Sequence, residues 1–260
     1  MLAESRRAAI AGLLGSAGSV TVSELEERFG ISPMTARRDL AELERQGRAR
    51  RTHGGAVISA TGSHEDSFAK RLESAPEAKS ALAAAAVATL APRQSVFLDS
   101  SSTAYFVARR MLEEGIEATV ITNSLPIMDL VSTSAGSSVE LIGVGGTRRH
   151  LTRSFVGPYA VHTVLGHFAD RLFLSVKGVT RDGALTDADP LEADVKAAMI
   201  AHAHEAFLLI DDSKLQAHGL SAVGHIADLS GVFAYGVAPH ALAQLRATGV
   251  EVRAVAGAAA

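Results

Sequence analysis

The chain has 260 residues, of which 47% are hydrophobic and 20% are charged, and its formal net charge is −3. It contains no cysteine, which excludes a disulfide scaffold, a thiol nucleophile and a cysteine-ligated metal site. Residues 81–91 are the most apolar stretch and are too short to span a bilayer, while residues 1–10 lack the apolar run of a secretory signal. We therefore expect a cytoplasmic protein without a membrane partner.

The charge is distributed unevenly along the chain. Residues 1–60 hold nine arginines and seven acidic residues, which gives +2, whereas residues 61–260 carry −5. A small basic head on an acidic body keeps DNA-contacting charge local and limits non-specific binding by the body. The first segment is therefore the candidate for a contact with nucleic acid.

Three short helices are predicted in the basic segment. Apolar residues at helical spacing indicate a first helix over residues 4–15, and a capping box formed by Thr21 and Glu24 opens a second. After a glycine turn, Ser32 is the N-cap of a third helix, and Pro33 occupies its first position, where a missing N–H costs nothing.

A basic hairpin follows the third helix and turns at Gly54 and Gly55. A short helix with a polar, basic N-terminal face can enter a major groove, and a basic hairpin beside it can hold phosphates. This order of elements predicts a winged helix-turn-helix, the alternative being a small helical bundle with solvated arginines. The residues expected to contact DNA are Ser32, Thr35, Arg37, Arg38, Arg48, Arg50, Arg51 and His53.

The rest of the chain is predicted to form an α/β domain. Residues 59–75 are polar apart from Phe68 and are interpreted as a linker with a short ordered piece; Pro76 then opens an alanine-rich helix. From Ser95 onwards, short apolar runs alternate with amphipathic segments, which implies a mainly parallel, Rossmann-like sheet covered on both faces. The predicted domains are residues 1–58 (DNA binding), 59–75 (linker) and 76–260 (effector sensing and oligomerisation).

Individual strands and helices can be placed in this domain. The predicted strands are Val96–Asp99, Ala118–Thr122, Val139–Gly143, Arg171–Val176, Ala206–Ile210, Val232–Gly236 and Val250–Val255. The predicted helices between and beside them are Thr103–Glu113, Leu125–Val131, Pro158–Gly166, Pro190–His204 and Pro239–Thr248.

Small polar residues follow several of the predicted strands. In open α/β folds, ligands bind beyond the carboxyl ends of the strands. Hydroxyls and backbone N–H groups at a helix N-terminus form a cradle for an anion, and a lysine nearby can balance a phosphate. The residues expected to bind a phosphate-sized effector are Asp99, Ser100, Ser101, Ser102, Thr103, Thr122, Asn123, Gly145, Gly146, Lys177, Asp211 and Lys214.

Other kinds of site find little support in the sequence. There is no GxxxxGK[ST] motif for a nucleotide, no GxSxG nucleophile elbow, and no histidine spacing that suits a metal, so no cofactor is expected. Acidic side chains at Asp187, Asp189 and Glu192, with Lys177 nearby, could transfer protons on a sugar or simply bind its hydroxyls.

Six stretches of the sequence occur in the order in which a known family carries them. They are VSELEERFGISPMTARRDLAELERQGRARRTHGGAV, FLDSSST, TVITNSLPIMDL, the glycine pair after Val144, GALTDADPLEADVKAAMI and DDSK. Through them the chain resembles the DeoR family of bacterial repressors from about residue 6 to residue 236. The helix motif TxRRDL, with the basic hairpin and HGGA after it, is the most specific of them.

The resemblance implies a fold and a function. Proteins of that family repress sugar or nucleoside catabolic operons and leave DNA when a phosphorylated metabolite binds, and their sensor domain is similar in fold to ribose-5-phosphate isomerase and coenzyme A transferases. Carried over by position, it assigns Thr35, Arg37 and Arg38 to the recognition helix and Arg48, Arg51 and His53 to the wing. The effector pocket that it implies consists of Asp99, Ser101, Ser102, Thr103, Asn123, Gly145, Gly146 and Lys214. Two departures, Ala36 and Ala49, replace larger aliphatic residues and could loosen packing under the wing. Lys177 also departs from the family pattern and could change which effector fits.

The expected partners are double-stranded operator DNA, a phosphorylated sugar effector and further copies of the chain, as a dimer or tetramer. Two alternatives stay open. The first is an isomerase- or transferase-like enzyme with an accessory DNA-binding head, in which Asp187 or Glu192 acts as the base. The second is a nucleoid or adaptor protein that binds DNA without sequence specificity.

Overall fold

The computed structural model describes residues 3–17, 19–45, 49–52, 54–58, 65–215 and 217–256. The chain divides into two compact units, Met1–Glu65 and Asp66–Ala260. Within the described residues, no helix combines the length and the apolarity that a membrane crossing requires.

The first unit is a winged helix-turn-helix, as the sequence predicts. Its elements are α1 (Ala3–Ala17), β1 (Ser19–Thr21), α2 (Val22–Phe29), α3 (Pro33–Arg45), β2 (Ala49–Thr52) and β3 (Gly55–Ile58). The capping box of Thr21 and Glu24 is formed at the start of α2, and Gly30 ends that helix in the left-handed conformation. The strands form an antiparallel sheet in the order β1-β3-β2.

The core of this unit consists of small and aliphatic side chains from the three helices and the wing. Ile10, Leu25, Leu40 and Leu43 are at most 1% exposed. The two alanines that depart from the family pattern are buried among them: Ala36 is 0% exposed and Ala49 is 4% exposed.

The wing depends on a close backbone approach at Gly55. A Cβ atom on this residue would lie 2.1 Å from the carbonyl oxygen of Val20, in the neighbouring strand β1. The adjacent Gly54 is different, because a Cβ there would meet nothing within 4 Å, while its carbonyl accepts a 2.9 Å hydrogen bond from the Val22 N–H. Of this glycine pair, only Gly55 is needed for packing.

The second unit begins with two helices and then alternates strands and helices. Its helices are α4 (Phe68–Glu73), α5 (Pro76–Val87), α6 (Ser102–Glu113), α7 (Leu125–Thr133), α8 (Pro158–Leu165), α9 (Pro190–Ala201) and α10 (Pro239–Ala247). Its strands are β4 (Gln94–Leu98), β5 (Ala118–Thr122), β6 (Val139–Gly143), β7 (Thr147–Arg149), β8 (Ser154–Val156), β9 (Ala169–Leu174), β10 (Gly178–Val179), β11 (Ala184–Asp187), β12 (Ala203–Asp211), β13 (Ser221–His225), β14 (Gly231–Tyr235) and β15 (Glu251–Val255). Short 3-10 helices follow β12 and β13 at Asp212–Leu215 and Ile226–Asp228.

A seven-stranded, fully parallel sheet forms the centre of this unit. Its strand order is β15-β14-β12-β9-β4-β5-β6. Both faces are buried: along β9, Leu172 and Leu174 enter one apolar cluster, and Phe173 enters the other. The predicted strands are all present, with ends shifted by at most a few residues.

Six short strands were not predicted from the sequence, namely β1 in the first unit and five strands in the second. β7 and β8 form a hairpin, and β10, β11 and β13 form a small antiparallel sheet. Strands of two to five residues carry too few side chains for alternation to appear, and these contain polar and glycine residues. The residues of this small sheet include Asp187, which becomes important for the candidate site.

The predicted linker ends earlier than expected, because α4 belongs to the second unit. Phe68 is only 4% exposed, its N–H donates to the carbonyl of Leu151 (2.8 Å), and its ring meets Tyr105 edge-on at 5.8 Å between centroids. The second unit therefore begins at Asp66, ten residues before the boundary placed at residue 76.

The two wing glycines give a matched test of the fold. We expect Gly55→Ala to destabilise the first unit by about 2 kcal/mol or more, because the new Cβ overlaps the β1 backbone. Gly54→Ala should leave stability nearly unchanged. Thermal unfolding of both variants, followed by circular dichroism, measures this difference, and equal melting temperatures would contradict the packing described for β1 and β3.

Candidate DNA-binding helix and candidate anion site

Helix α3 has one buried face and one exposed face. Ala36, Leu40 and Leu43 point into the core, whereas Arg37 and Arg38 are exposed. The structure thus puts both predicted arginines on a surface that a duplex can reach. Neither has a hydrogen bond or ion pair within the described part of the chain, so both guanidinium groups remain available for bases or phosphates.

The start of α3 is fixed by its own first turn. The Ser32 hydroxyl accepts a hydrogen bond from the Thr35 N–H (3.3 Å) and lies 3.0 Å from the Thr35 hydroxyl. The Ala36 N–H donates to the Ser32 carbonyl (3.0 Å). Ser32 and Thr35 therefore hold the helix N-terminus in place, which is also where such helices contact base edges.

Two ion pairs hold α3 within the unit. The guanidinium of Arg6 lies 2.6 Å from the Asp39 carboxylate, which is buried, and so ties α3 to α1. At the other end, Glu44 accepts from the N–H (2.9 Å) and the Nε (2.7 Å) of Arg51 in β2. The Arg51 N–H and side chain together lower the pKa of Glu44.

The wing contacts predicted from the sequence are described only in part. Arg51 is exposed but bonded to Glu44, so its first role is to join the wing to α3. Arg50 lies in β2. Arg48 and His53 lie outside the described residues.

The second site lies where β4, β9 and β12 end side by side. Asp99 follows β4 and is completely buried. Its Oδ1 accepts from the N–H (3.1 Å) and the hydroxyl (2.5 Å) of Ser101, the N-cap of α6. Ser102 and Thr103 form the first turn of that helix and face the same strand ends.

A buried ammonium group joins these strand ends. Lys196 Nζ, from α9, lies 3.1 Å from Asp99 and 2.6 Å from Asp187, and it donates to the carbonyl of Ser175 (2.6 Å). Burial alone would lower the pKa of Lys196, but the carboxylates of Asp187 and Asp99 raise it above its usual value. Burial opposes ionisation of Asp187 as well, and Lys196 nevertheless lowers the pKa of that carboxyl.

A second buried network surrounds Glu192. Its carboxylate accepts hydrogen bonds from the hydroxyls of Ser100 (2.7 Å) and Ser154, and Arg149 lies 3.7 Å away. Asp187 and Glu192, the bases considered for an enzyme, are therefore both consumed by internal ion pairs and hydrogen bonds. Asp99 and Ser100, which we expected to contact an effector, take part in these internal contacts.

Positive charge accumulates beside these strand ends. Lys214 lies in the 3-10 helix after β12. Burial lowers the pKa of Lys214, and the charges of Lys177 and Arg71 lower it further, whereas the carboxylate of Asp211 acts to raise it. On Arg71, Nε and NH2 are buried without a hydrogen-bond partner in the described structure. Buried donors of this kind are costly unless an acceptor reaches them.

Lys79 completes the cation cluster, which we define as Arg71, Lys79, Lys177 and Lys214. Its ammonium donates to the carbonyls of Arg71, in the last turn of α4, and of Ser74, which caps that helix. Burial and the Lys214 charge lower the pKa of Lys79 to about 8, although Asp211 opposes them. Lys79 and Lys214 both interact with the carboxylate of Asp211, and the charge of Arg71 acts on both lysines, so positive charge exceeds negative charge here and favours a bound anion.

Sequence reasoning missed Arg71 because it treated residues 59–75 as a linker, and it missed Lys79 because this residue lies within an alanine-rich helix that was assigned no part in the site. The signal was present in the single apolar anchor at Phe68, since a buried Phe68 fixes a helix whose next turn carries Arg71. The guanidinium of Arg71 lies 5.9 Å from the Phe68 ring centroid.

Other predicted effector residues lie apart from the cation cluster. Gly145 and Gly146 follow β6, which is four strand spacings, about 19 Å, from β12 within the sheet, whereas Lys214 follows β12. Gly146 has φ 151° and serves close packing, because a Cβ would lie 2.8 Å from the Val156 carbonyl. Thr122 accepts from the Ser124 N–H (3.1 Å), and Asn123 donates to the Phe155 carbonyl (2.9 Å).

Comparison with known proteins gives the family. Residues 6–61 match the DeoR-like helix-turn-helix domain, and residues 74–234 match the DeoR C terminal sensor domain. The chain is 32% identical over 228 residues (87% of this chain, 92% of the relative) to the L-fucose operon activator of Escherichia coli K12. It is also 32% identical over 230 residues (88% and 87%) to the transcriptional repressor CsqR of the same strain.

Among solved structures, ribose 5-phosphate isomerase A of Methanocaldococcus jannaschii matches 55% of each chain, with 19% identity and a TM-score of 0.40. The relatives are regulators of transcription and not enzymes, so the isomerase or transferase alternative is set aside. Both domain matches and the curated relatives agree, and the chain belongs to the DeoR family of transcriptional regulators.

Proposed function

We propose that this regulator represses a sugar or nucleoside catabolic operon and leaves its operator when a phosphorylated sugar binds the cation cluster. The observation that carries the proposal is the buried Arg71 guanidinium, whose Nε and NH2 have no acceptor within the described structure, beside Lys79 and Lys214. A dianionic phosphate supplies acceptors and charge for all three.

The DNA-binding half of the proposal rests on α3. Arg37 and Arg38 are exposed in the first two turns, where recognition helices contact bases, and arginine makes a bidentate contact to guanine. A homo-oligomer, either a dimer or a tetramer, would place two such helices about 34–36 Å apart, in successive major-groove faces. An operator with two half-sites would match that symmetry.

The relatives support a sugar operon but differ in the sign of control. One acts as an activator of the L-fucose operon, and another is a repressor. We favour repression because several of the relatives are named repressors. Release from the operator then requires only about 1–3 kcal/mol of coupling between the effector site and DNA binding.

Helix α4 gives the proposed signal a physical route. It is the first described helix after the residues that join the two units, and its last carbonyls are held by Lys79. Ala75, directly after it, has φ 46° and precedes Pro76, a combination that costs about 1–3 kcal/mol in strain. An anion that draws Lys79 and Arg71 toward itself would loosen the contacts that maintain this strained turn.

The proposal is tested with a duplex that the full-length protein selects from a random pool. Fluorescence anisotropy then measures binding in the presence of sugar phosphates, the parent sugars and inorganic phosphate. We expect one phosphorylated sugar to release the DNA and its unphosphorylated parent to leave it bound. Failure of every sugar phosphate to change DNA affinity would contradict the proposed effector class.

Arg38→Ala tests the recognition helix. We expect about tenfold or greater loss of affinity for the selected duplex, because a bidentate contact contributes about 1–3 kcal/mol. The control is Arg110→Ala, which removes an arginine paired with Glu114 in the second unit. Equal affinities of the two variants would exclude Arg38 as a DNA contact.

Lys214→Gln tests the cation cluster. We expect the effector concentration needed for release to rise about tenfold or more, with affinity for DNA unchanged, because the cluster loses a charge that faces the anion. Lys70→Gln is the control, since Lys70 is exposed and paired with Asp66. A release curve identical to that of the control would remove Lys214 from the site.

The pKa of Lys79 predicts a pH dependence. Because this pKa is lowered to about 8, Lys79 is charged below that pH and loses its charge above it. Effector binding should therefore weaken as pH rises from 7 to 9, by up to about tenfold, while the phosphate stays dianionic. Calorimetric titration at several pH values measures the effector affinity. In Lys79→Arg, whose side chain stays charged, the affinity should depend less on pH. An equal pH dependence in both proteins would contradict the placement of Lys79 in the effector site.

A further inference from the structure

Met34 is an apolar side chain on the surface of α3. It is 68% exposed, and among the described residues of the first unit no other large hydrophobic side chain is exposed to this extent. It occupies the second position of the helix, immediately after Pro33. An isolated apolar side chain at a surface is ordinary, so its neighbours decide what it does.

The neighbours of Met34 are the two arginines proposed to contact DNA. Arg37 and Arg38 follow it by three and four residues, which places all three on one face of the helix. The opposite face is fixed by buried Leu40 and by the ion pair between Asp39 and Arg6. A helix that presents its arginines to a groove therefore presents Met34 to the same groove.

The chemistry of the base edges restricts what Met34 can meet there. In the major groove, guanine, adenine and cytosine offer only hydrogen-bonding groups, while thymine also offers its C5 methyl group. A thioether side chain placed on a polar edge would desolvate it without replacing its hydrogen bonds. Its unbranched, flexible chain can adapt to a methyl group at a variable distance.

We infer that Met34 contacts a thymine methyl group and so determines part of the operator sequence. This inference rests on the proposed DNA binding through α3. Arg37 or Arg38 then reads a guanine close to that thymine, since the three side chains share one face. Met34 would distinguish bases by contact with an apolar methyl group, whereas the arginines would distinguish them by hydrogen bonds. The effects of Met34 and of the arginines on DNA affinity can therefore be measured separately.

The test removes single methyl groups from the DNA. Each thymine of the selected duplex is replaced in turn by uracil, which lacks only the C5 methyl, and full-length protein is titrated by fluorescence anisotropy. One thymine in each half-site should prove sensitive, with affinity about fourfold weaker after replacement, as expected for one buried methyl group.

Two variants tie that effect to the side chain. Met34→Leu keeps an apolar surface and should keep the sensitivity to uracil. Met34→Gln has similar length but a polar end, and it should bind the thymine and uracil duplexes equally. A uracil scan that is the same for wild type and Met34→Gln, or a selected duplex in which no thymine is sensitive, would overturn the inference while leaving DNA binding intact. A protein that enriches no duplex at all would overturn the proposed function as well.

Discussion

A single buried ammonium group, that of Lys196, holds the carboxyl edge of the central sheet together. It bonds Asp99 after β4, the Ser175 carbonyl after β9 and Asp187 at the end of β11, three strands that are far apart in the sequence. A buried charge is tolerated only when it is paired and hydrogen-bonded. Here the ammonium group and its carboxylate partners each reduce the free-energy cost of burying the other. The position of the α6 N-terminus, and of the cation cluster beside it, follows from this arrangement.

The protein uses positive charge in two different environments. On α3, Arg37 and Arg38 are exposed, where water screens them and a polyanion can reach them. In the second unit, Arg71 is partly buried and Lys79 is buried. Burying a charge costs free energy, and a small bound anion can offset that cost. Burial, rather than net charge, separates a surface suited to DNA from a site suited to a metabolite.

Much of this organisation could be predicted from the sequence. Interactions within a single helical turn are enough to predict the capping box at Thr21, the N-cap at Ser32 and the exposed arginines. The parallel strands were equally visible, because strands buried on both faces are continuous apolar runs. The same reasoning placed the predicted effector residues at the carboxyl edge of the sheet, where the cation cluster also lies.

The roles of individual polar residues could not be predicted in the same way. Asp99 and Lys214 both follow strands, yet Asp99 is consumed by Lys196 and Ser101, whereas Lys214 lies among other cations. Which strand ends are neighbours depends on strand order, which the sequence does not display, and so the sequence could not show that the strand before Gly145 and the strand before Lys214 are four positions apart in the sheet. Arg71 was overlooked because a six-residue helix anchored by one phenylalanine resembles a polar loop.

The strained turn at Ala75 has a consequence for how regulators of this kind diverge. Glycine adopts a left-handed conformation at little cost, whereas residues with a Cβ do so only under constraint. Under the proposed route through α4, the identity of this one residue, which lies in neither α3 nor the cation cluster, would set how firmly the turn resists being released. A substitution there would then change sensitivity to the effector, while the residues proposed to select the operator and the effector stay the same.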